Sequence, residues 1–383
     1  MCQKKGVGFD VYLALREIRK NRGRFLMIAI IFVLIAWLVF ILSGLGNGLQ
    51  SLAAASFKNM KANVAVLEYG AQDSIAKSLL SADSVAAASG VPNVRAASPL
   101  GTSMATAIKP GAGADAEKVD IAILGIEAGG FLEPAVVEGS GLSADKPDGA
   151  IVNDSMKDDG FRLGDTFKLD GTTQSLTIVG FVKGETYNHV ASAFIPIEAW
   201  RTIAFAAPGA DKGLSHPANA IMLQGKAIDA DAVGAAIPGS RAITLDAAIH
   251  GLPGYKEESS SIMMMLSFLF VISAFMLGVF FYVFTLQKSN QFGVLKAIGA
   301  RNTFLSKAVL SQVFVISVIS ILVGVGLTYA SAAVIPKAMP FQLDRNLVIG
   351  YSFVLLAIAL LSSLVSVRSI TKIDPLKALG RVE

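Results

Sequence analysis

The sequence predicts an integral membrane α-helical protein with four transmembrane helices and a large α+β extracytoplasmic domain between the first and second spans. Three observations predict it. Of 383 residues, 53% are hydrophobic and only 16% charged, with a mean hydropathy of +0.58, whereas ordinary soluble domains carry about 25% charged residues. Four windows, 25–49, 259–287, 308–336 and 346–367, hold no charged residue at all. Each is long enough to cross a hydrocarbon layer about 30 Å thick as a helix. Finally, the cations bracket these windows in one consistent sense.

Seven cations precede the first window: Lys4, Lys5, Arg16, Arg19, Lys20, Arg22 and Arg24. Lys288, Lys296, Arg301 and Lys307 separate the second from the third, and Arg368, Lys372, Lys377 and Arg381 follow the fourth. These 15 cations face four carboxylates, while segment 46–261 holds 16 cations against 24 carboxylates. The positive-inside rule then places both termini and the 288–307 loop in the cytoplasm, the insert outside, and the chain in the cell membrane. The net charge of +4 is the sum of two opposed faces and points to no nucleic-acid partner. The single cysteine, Cys2, falls on the inner side, so the outer domain is expected to fold without disulfides. The first apolar run exceeds a signal-peptide core and no A-x-A-like site follows it, so it is expected to stay as a span.

Taken in order, residues 1–24 read as a cytoplasmic amphipathic helix, with Val11, Leu15 and Ile18 on one face; a plain basic anchor accounts for the same charges. Span 1 occupies 25–45. Gly44 and Gly48 at its outer end have G-x-x-x-G spacing, which suits close helix packing in a dimer, although glycine also simply ends helices. Within the outer domain, 46–261, an alanine-rich stretch from 49 to about 89 reads as helix. VDIAILGI, GAIVND, TFKLDG, QSLTIVGFV and ASAFIPI read as strands, and Asp170-Gly171 as a hairpin turn. PGYKEESSS leads back to span 2 (262–286). A cytoplasmic coupling loop or helix (287–307), span 3 (308–335), a short outer loop (336–346), span 4 (347–367) and a cytoplasmic tail (368–383) complete the chain.

Enzyme chemistry has no foothold. There is no G-x-x-x-x-G-K-[ST] loop, so the chain is not expected to be its own ATPase by the usual route. H-E-x-x-H, C-x-x-C and G-x-S-x-G are absent, the three histidines are scattered, and neither an intrinsic cofactor nor a metal is expected. None of the four windows contains an ionisable residue, which argues against a proton-coupled carrier or an ion channel.

Three stretches, FGVLKAIGARNTFL, GFRLGDTFKLDG…LTIVGFV and KIDPLKALGR, together with the one-plus-three span layout, resemble the MacB/FtsX/lipoprotein-release class of ABC transporter permeases. LSGLGNGL, GETYNHVAS, MMMLSFLF…FFYVFTLQKSNQFGVLKAIG and PKAMPFQL resemble its HrtB-like haem-efflux branch. This resemblance implies a permease homodimer, two copies of a separate HrtA-like ATPase that binds ATP, and haem as the exported substrate in a mechanotransmission-type cycle. DevC-like glycolipid exporters share the MPF stretch, and FtsX-like proteins regulate a partner without transport. Both remain alternatives.

Under the resemblance, Met263, Met264 and Met265 at the outer end of span 2 become haem candidates. Met264 lines up with Phe268, Phe275 and Tyr282, and Met265 with Leu269, Ile272 and Met276. A thioether above an aromatic stripe suits a flat porphyrin; ordinary packing against a neighbouring span explains the same pattern. Tyr187 and His189 offer a phenolate and an imidazole to iron, or are simply part of a polar loop. In QKSNQFGVLKAIGARNT, Phe292, Leu295 and Ile298 recur every three residues as an apolar face that Val294 and Ala297 widen, with Lys296 and Arg301 beside it. Gly293 and Gly299 are costly inside a helix, so a bend or a close approach is expected there. By resemblance this element seats in the ATPase; anchoring to anionic lipid accounts for the charges alone.

Overall fold

The structure, a computed structural model, describes residues 22–109, 118–336 and 339–371. The expected N-terminal amphipathic helix, Cys2 and the C-terminal tail from 372 lie outside the described residues. The chain divides into two compact units, 49–259 and the remainder.

Among the described residues the membrane unit has four helices long and apolar enough to span: Arg22–Lys58, Tyr255–Gln287, Asn302–Val334 and Arg345–Thr371. Each runs past the span expected for it, because backbone hydrogen bonding does not stop where hydropathy does. Helix Asn302–Val334 therefore takes in residues 302–307 of the expected coupling loop or helix. It is also the central helix, with 44% of its apolar window buried against 17% for Tyr255–Gln287. Small residues let the first and third helices meet. A Cβ on Gly324 would lie 2.9 Å from Ala36 Cβ, Trp37 Nε1 donates to Ser331 Oγ (3.1 Å), and Ser320 Oγ donates to Ala29 O (3.3 Å). Phe25 meets Phe284 edge-on at 4.9 Å, and Ser362 Oγ donates to Ala274 O across the second and fourth helices (3.1 Å). Such small-residue contacts and interhelical hydrogen bonds replace the hydrophobic drive that lipid cannot supply.

In the outer unit the alanine-rich stretch is not one helix: the first helix ends at Lys58, Val64–Glu68 is a strand because it gains two antiparallel partners, and helix resumes only at Ser84–Ser89. The strands are β1 (Val64–Glu68), β2 (Leu80–Ser81), β3 (Val94–Ile108), β4 (Lys118–Ile126), β5 (Glu138–Gly139), β6 (Gly149–Asn153) and β7 (Thr166–Leu169). They continue as β8 (Ser175–Val182), β9 (Thr186–Tyr187), β10 (Val190–Pro196), β11 (Pro217–Ala218), β12 (Ala220–Gly225) and β13 (Ser240–Thr244). Among the described residues the main sheet runs β13-β1-β12-β3-β4-β10-β6-β8-β5. All five strands read from the sequence are present, and β7–β8 is the hairpin about Asp170-Gly171, with Gly171 at φ +74°.

The organising strand is β3, which sequence reading did not find. Its first half pairs with β12 and its second half with β4, joining two parts of the domain. At the join, Gly101 and Gly125 are cross-strand partners, and the Trp200 side chain fills the space their Cβ atoms would take, at 2.1 and 2.5 Å. Trp200 Nε1 donates to Ser103 Oγ (3.1 Å), so the indole is fixed by shape and by one hydrogen bond.

Candidate functional site

Within its apolar part, helix Tyr255–Gln287 buries a narrow seam of Leu266, Ser273, Leu277, Phe281, Phe284 and Thr285, with Tyr255 buried at its start. Leu269, Phe270 and Phe280 flank the seam, half-buried, and the opposite side is exposed. Met263, Met264 and Met265 are 63%, 55% and 50% exposed, and Phe268 and Phe275 lie 62% and 73% open below them. The expected methionine–aromatic stripe is thus presented outward and is not consumed by packing within the chain. Met265's row is open as well, at Ile272 and Met276. A surface this apolar has lipid, a second copy or an apolar ligand as its partner.

The outer hairpin separates the two residues paired on sequence. Tyr187 is 4% exposed, packs edge-on against Phe57 at 5.1 Å, and has its hydroxyl pushed up to about 12 by burial. It is a core ring and presents no phenolate. His189 stands at the tip of the two-residue turn between β9 and β10, with Asn188 and His189 at φ +50° and +67°. Two positive-φ residues make the twist that a tight hairpin needs. The backbone N–H groups of Asn188 and His189 donate to Ala53 O and Leu52 O, and His189 Nε2 lies 3.6 Å from Glu258 Oε2. Beneath the hairpin is a carboxylate that sequence reading missed. Glu185 is 6% exposed, accepts from Asn59 Nδ2 (3.0 Å), and lines a 160 Å3 cavity. Burial raises its pKa, opposed by hydrogen bonds from Asn59 and Ser56.

Gly44 and Gly48 make a close approach within the chain. Cβ atoms there would lie 2.5 Å from the Phe341 ring and 2.3 Å from Pro340 O. Gln342 N–H donates to Gly44 O (3.0 Å) and Asn47 Nδ2 to Gln342 O (3.1 Å). The MPF stretch is therefore the partner of these glycines, a pairing hidden from the sequence by a separation of 295 residues between Asn47 and Gln342.

The connecting element is a helix, Ser289–Ala297, stopped by a Schellman turn. Gly299 N–H donates to Lys296 O (3.0 Å) and Ala300 N–H to Leu295 O (2.9 Å), with Gly299 at φ +98°. So Gly299 is a bend. Phe292 and Gly293 are buried in the bundle and Leu295 packs against it; Val294 (48%), Ile298 (75%) and Arg301 are exposed, and Lys296 is half-buried. Lys288, read from sequence as a loop cation, is 4% exposed. Its Nζ lies 4.5 Å over the Phe284 ring, 5.3 Å over Phe25, and 3.4 Å from Gln312 Oε1. Ring faces and an amide oxygen can hold an ammonium out of water.

Residues 25–239 match the MacB-like periplasmic core domain family, and residues 263–375 match the FtsX-like permease C-terminal family. The chain belongs to the MacB/FtsX-type ABC transporter permeases. A Staphylococcus haemolyticus relative, assigned the name hemin transport system permease protein HrtB, is 26% identical over 97% of this chain and 99% of that protein. An uncharacterized ABC transporter permease of Mycobacterium tuberculosis is 25% identical, covering 97% and 99%. The periplasmic region of MacB from Actinobacillus actinomycetemcomitans aligns with 48% of this chain and 89% of its own, at TM-score 0.35 and 12% identity. This permease is thus a membrane protein with a large extracytoplasmic domain, and its similarity throughout is to membrane subunits rather than to enzymes.

Proposed function

We propose that this permease exports haem, as a homodimer driven by two copies of a separate HrtA-like ATPase. The carrying observation is the open face of helix Tyr255–Gln287, where three methionines stand over Phe268 and Phe275. Full-length similarity to a protein named for hemin transport supports the reading. Haem partitions into the bilayer by its apolar ring, so a site open to lipid can take it sideways without an aqueous channel. A thioether then faces iron, and aromatic rings lie against the macrocycle.

Both termini and helix Ser289–Ala297 face the ATPase, following the cation distribution. Val294, Ile298, Lys296, Gly299 and Arg301 form the seat, while Phe292, Gly293 and Leu295 tie it to the bundle. ATP binding and hydrolysis drive export only if the two nucleotide states favour different permease arrangements. The helix therefore has to act as a rigid lever, and its capped end suits that role.

The test is ATPase activity of the reconstituted permease–ATPase pair. Haemin is expected to stimulate hydrolysis, and proteoliposomes whose ATPase faces the bath to accumulate haemin in their lumen on adding ATP. Stimulation by glycolipid but not haemin would move the substrate to the lipid class. Hydrolysis that responds to neither, but needs an outer partner protein, would make the permease a regulator.

A further inference from the structure

The outer domain contains a groove of about 510 Å3, within the range of roughly 300–1,000 Å3 usual for small-molecule sites. Its wall is mixed, and the apolar part is incompletely covered: Leu79, Ile203 and Phe205 are half-buried, and Met104 is 47% exposed. The groove is also rigid. Asn219 clamps its two sides, accepting from Thr102 N–H (2.7 Å) and donating to Ser78 O (2.9 Å). Trp200 forms part of the wall, held on Gly101 and Gly125, with Phe205 edge-on at 5.3 Å. Its charges are unbalanced. The one lining carboxylate, Asp170, is already paired with Lys118 at 2.5 Å, whereas the lining cations Lys77 and Lys212 make no ion pair among the described residues. A preformed cleft with an apolar wall on one part and unneutralised ammonium groups on another suits a flat apolar body with carboxylates attached.

We propose that this groove is a second binding site for a carboxylated porphyrin-class molecule. Its ring lies against Ile203 and Phe205, its carboxylates meet Lys77 and Lys212, and Met104 offers a thioether to a central metal. The assignment rests on the haem-export reading and adds to it a station in the outer domain, on the far side of the transport step.

The test uses full-length permease in nanodiscs. Trp37 and Trp200 are the chain's two tryptophans, so Trp37→Phe leaves Trp200 as the reporter. Haemin should quench it saturably, and should still do so when Met263, Met264 and Met265 are all changed to Leu. Adding Lys77→Gln and Lys212→Gln should weaken quenching about tenfold or more, with an unchanged melting temperature. Porphyrin dimethyl ester should bind as weakly to the unsubstituted groove. Equal affinity for haemin in the lysine variant, or equal affinity for the ester, overturns the groove assignment. If haemin still stimulates the ATPase in that case, the export reading survives alone. If haemin neither stimulates nor quenches, both fall.

Discussion

Replacing Gly299 with leucine should uncouple ATP hydrolysis from export while leaving the permease folded. Gly299 sits at φ +98°, and no heavy atom lies within 4 Å of where its Cβ would be. The cost inside the chain is therefore backbone strain alone, about 1–2 kcal/mol for an L-residue in the left-handed region, well below the roughly 5–15 kcal/mol that holds a typical fold. That strain falls on two hydrogen bonds, Gly299 N–H to Lys296 O and Ala300 N–H to Leu295 O, which end the lever and set its angle to the next helix. The assay is the ratio of haemin exported to ATP hydrolysed in proteoliposomes, with membrane expression and melting temperature as controls. Two further variants separate a bend from a docking surface. Asparagine tolerates positive φ but is bulky; alanine is small but strained there. If the bend matters, Gly299→Ala is the worse; if the seat needs open space, Gly299→Asn is. A fully coupled Gly299→Leu permease would refute the reasoning outright.

Other outcomes follow from the same geometry. Gly48→Ala would drive a Cβ into the Pro340 carbonyl at 2.3 Å and lift the 339–342 segment. Overpacking plus two lost hydrogen bonds should cost roughly 2–4 kcal/mol, read as a lowered melting temperature in detergent; an unchanged one would mean the segment does not seat there. Burial raises the Glu185 pKa above its ordinary 4.5, so the folded state holds the proton longer than the unfolded one. Its contribution is fully present below about pH 4.5 and is lost as pH rises through the folded value. Glu185→Gln should remove that part of the pH dependence and stabilise the permease at neutral pH, and a parallel stability–pH curve for the two proteins would count against it. Met263→Leu, Met264→Leu and Met265→Leu, made singly, touch no packed surface and should leave stability unchanged. At least one should shift the Soret band of bound haemin or weaken its binding, and three wild-type titrations would remove the methionine site.

Much of the architecture is legible locally. Hydropathy is a sum over neighbouring residues, so the four spans and the side on which cations gather could be read directly. Strands β4, β6, β7, β8 and β10 are β-branched runs bounded by turn residues, and Asp170-Gly171 announces its own hairpin. The longest strand was hidden. VRAASPLGTSMATAI is rich in small residues with weak strand preference, and it is extended because β12, more than 100 residues later, pairs with it. The candidate sites divide in the same way. Methionines and phenylalanines at helical spacing announce a stripe, but whether the stripe is packed or open depends on where three other helices lie.

The sequence by itself determined the membrane class and the family, since each rests on residue types or short patterns. Tertiary structure alone decided which residues are available. It turned Tyr187 into a core ring and drew Lys288 between Phe25 and Phe284. It filled the space over Gly44 and Gly48 with Phe341 and Pro340, and left Met263–Met265 open. Exposure is a property of neighbours distant in the chain, and no local pattern encodes it.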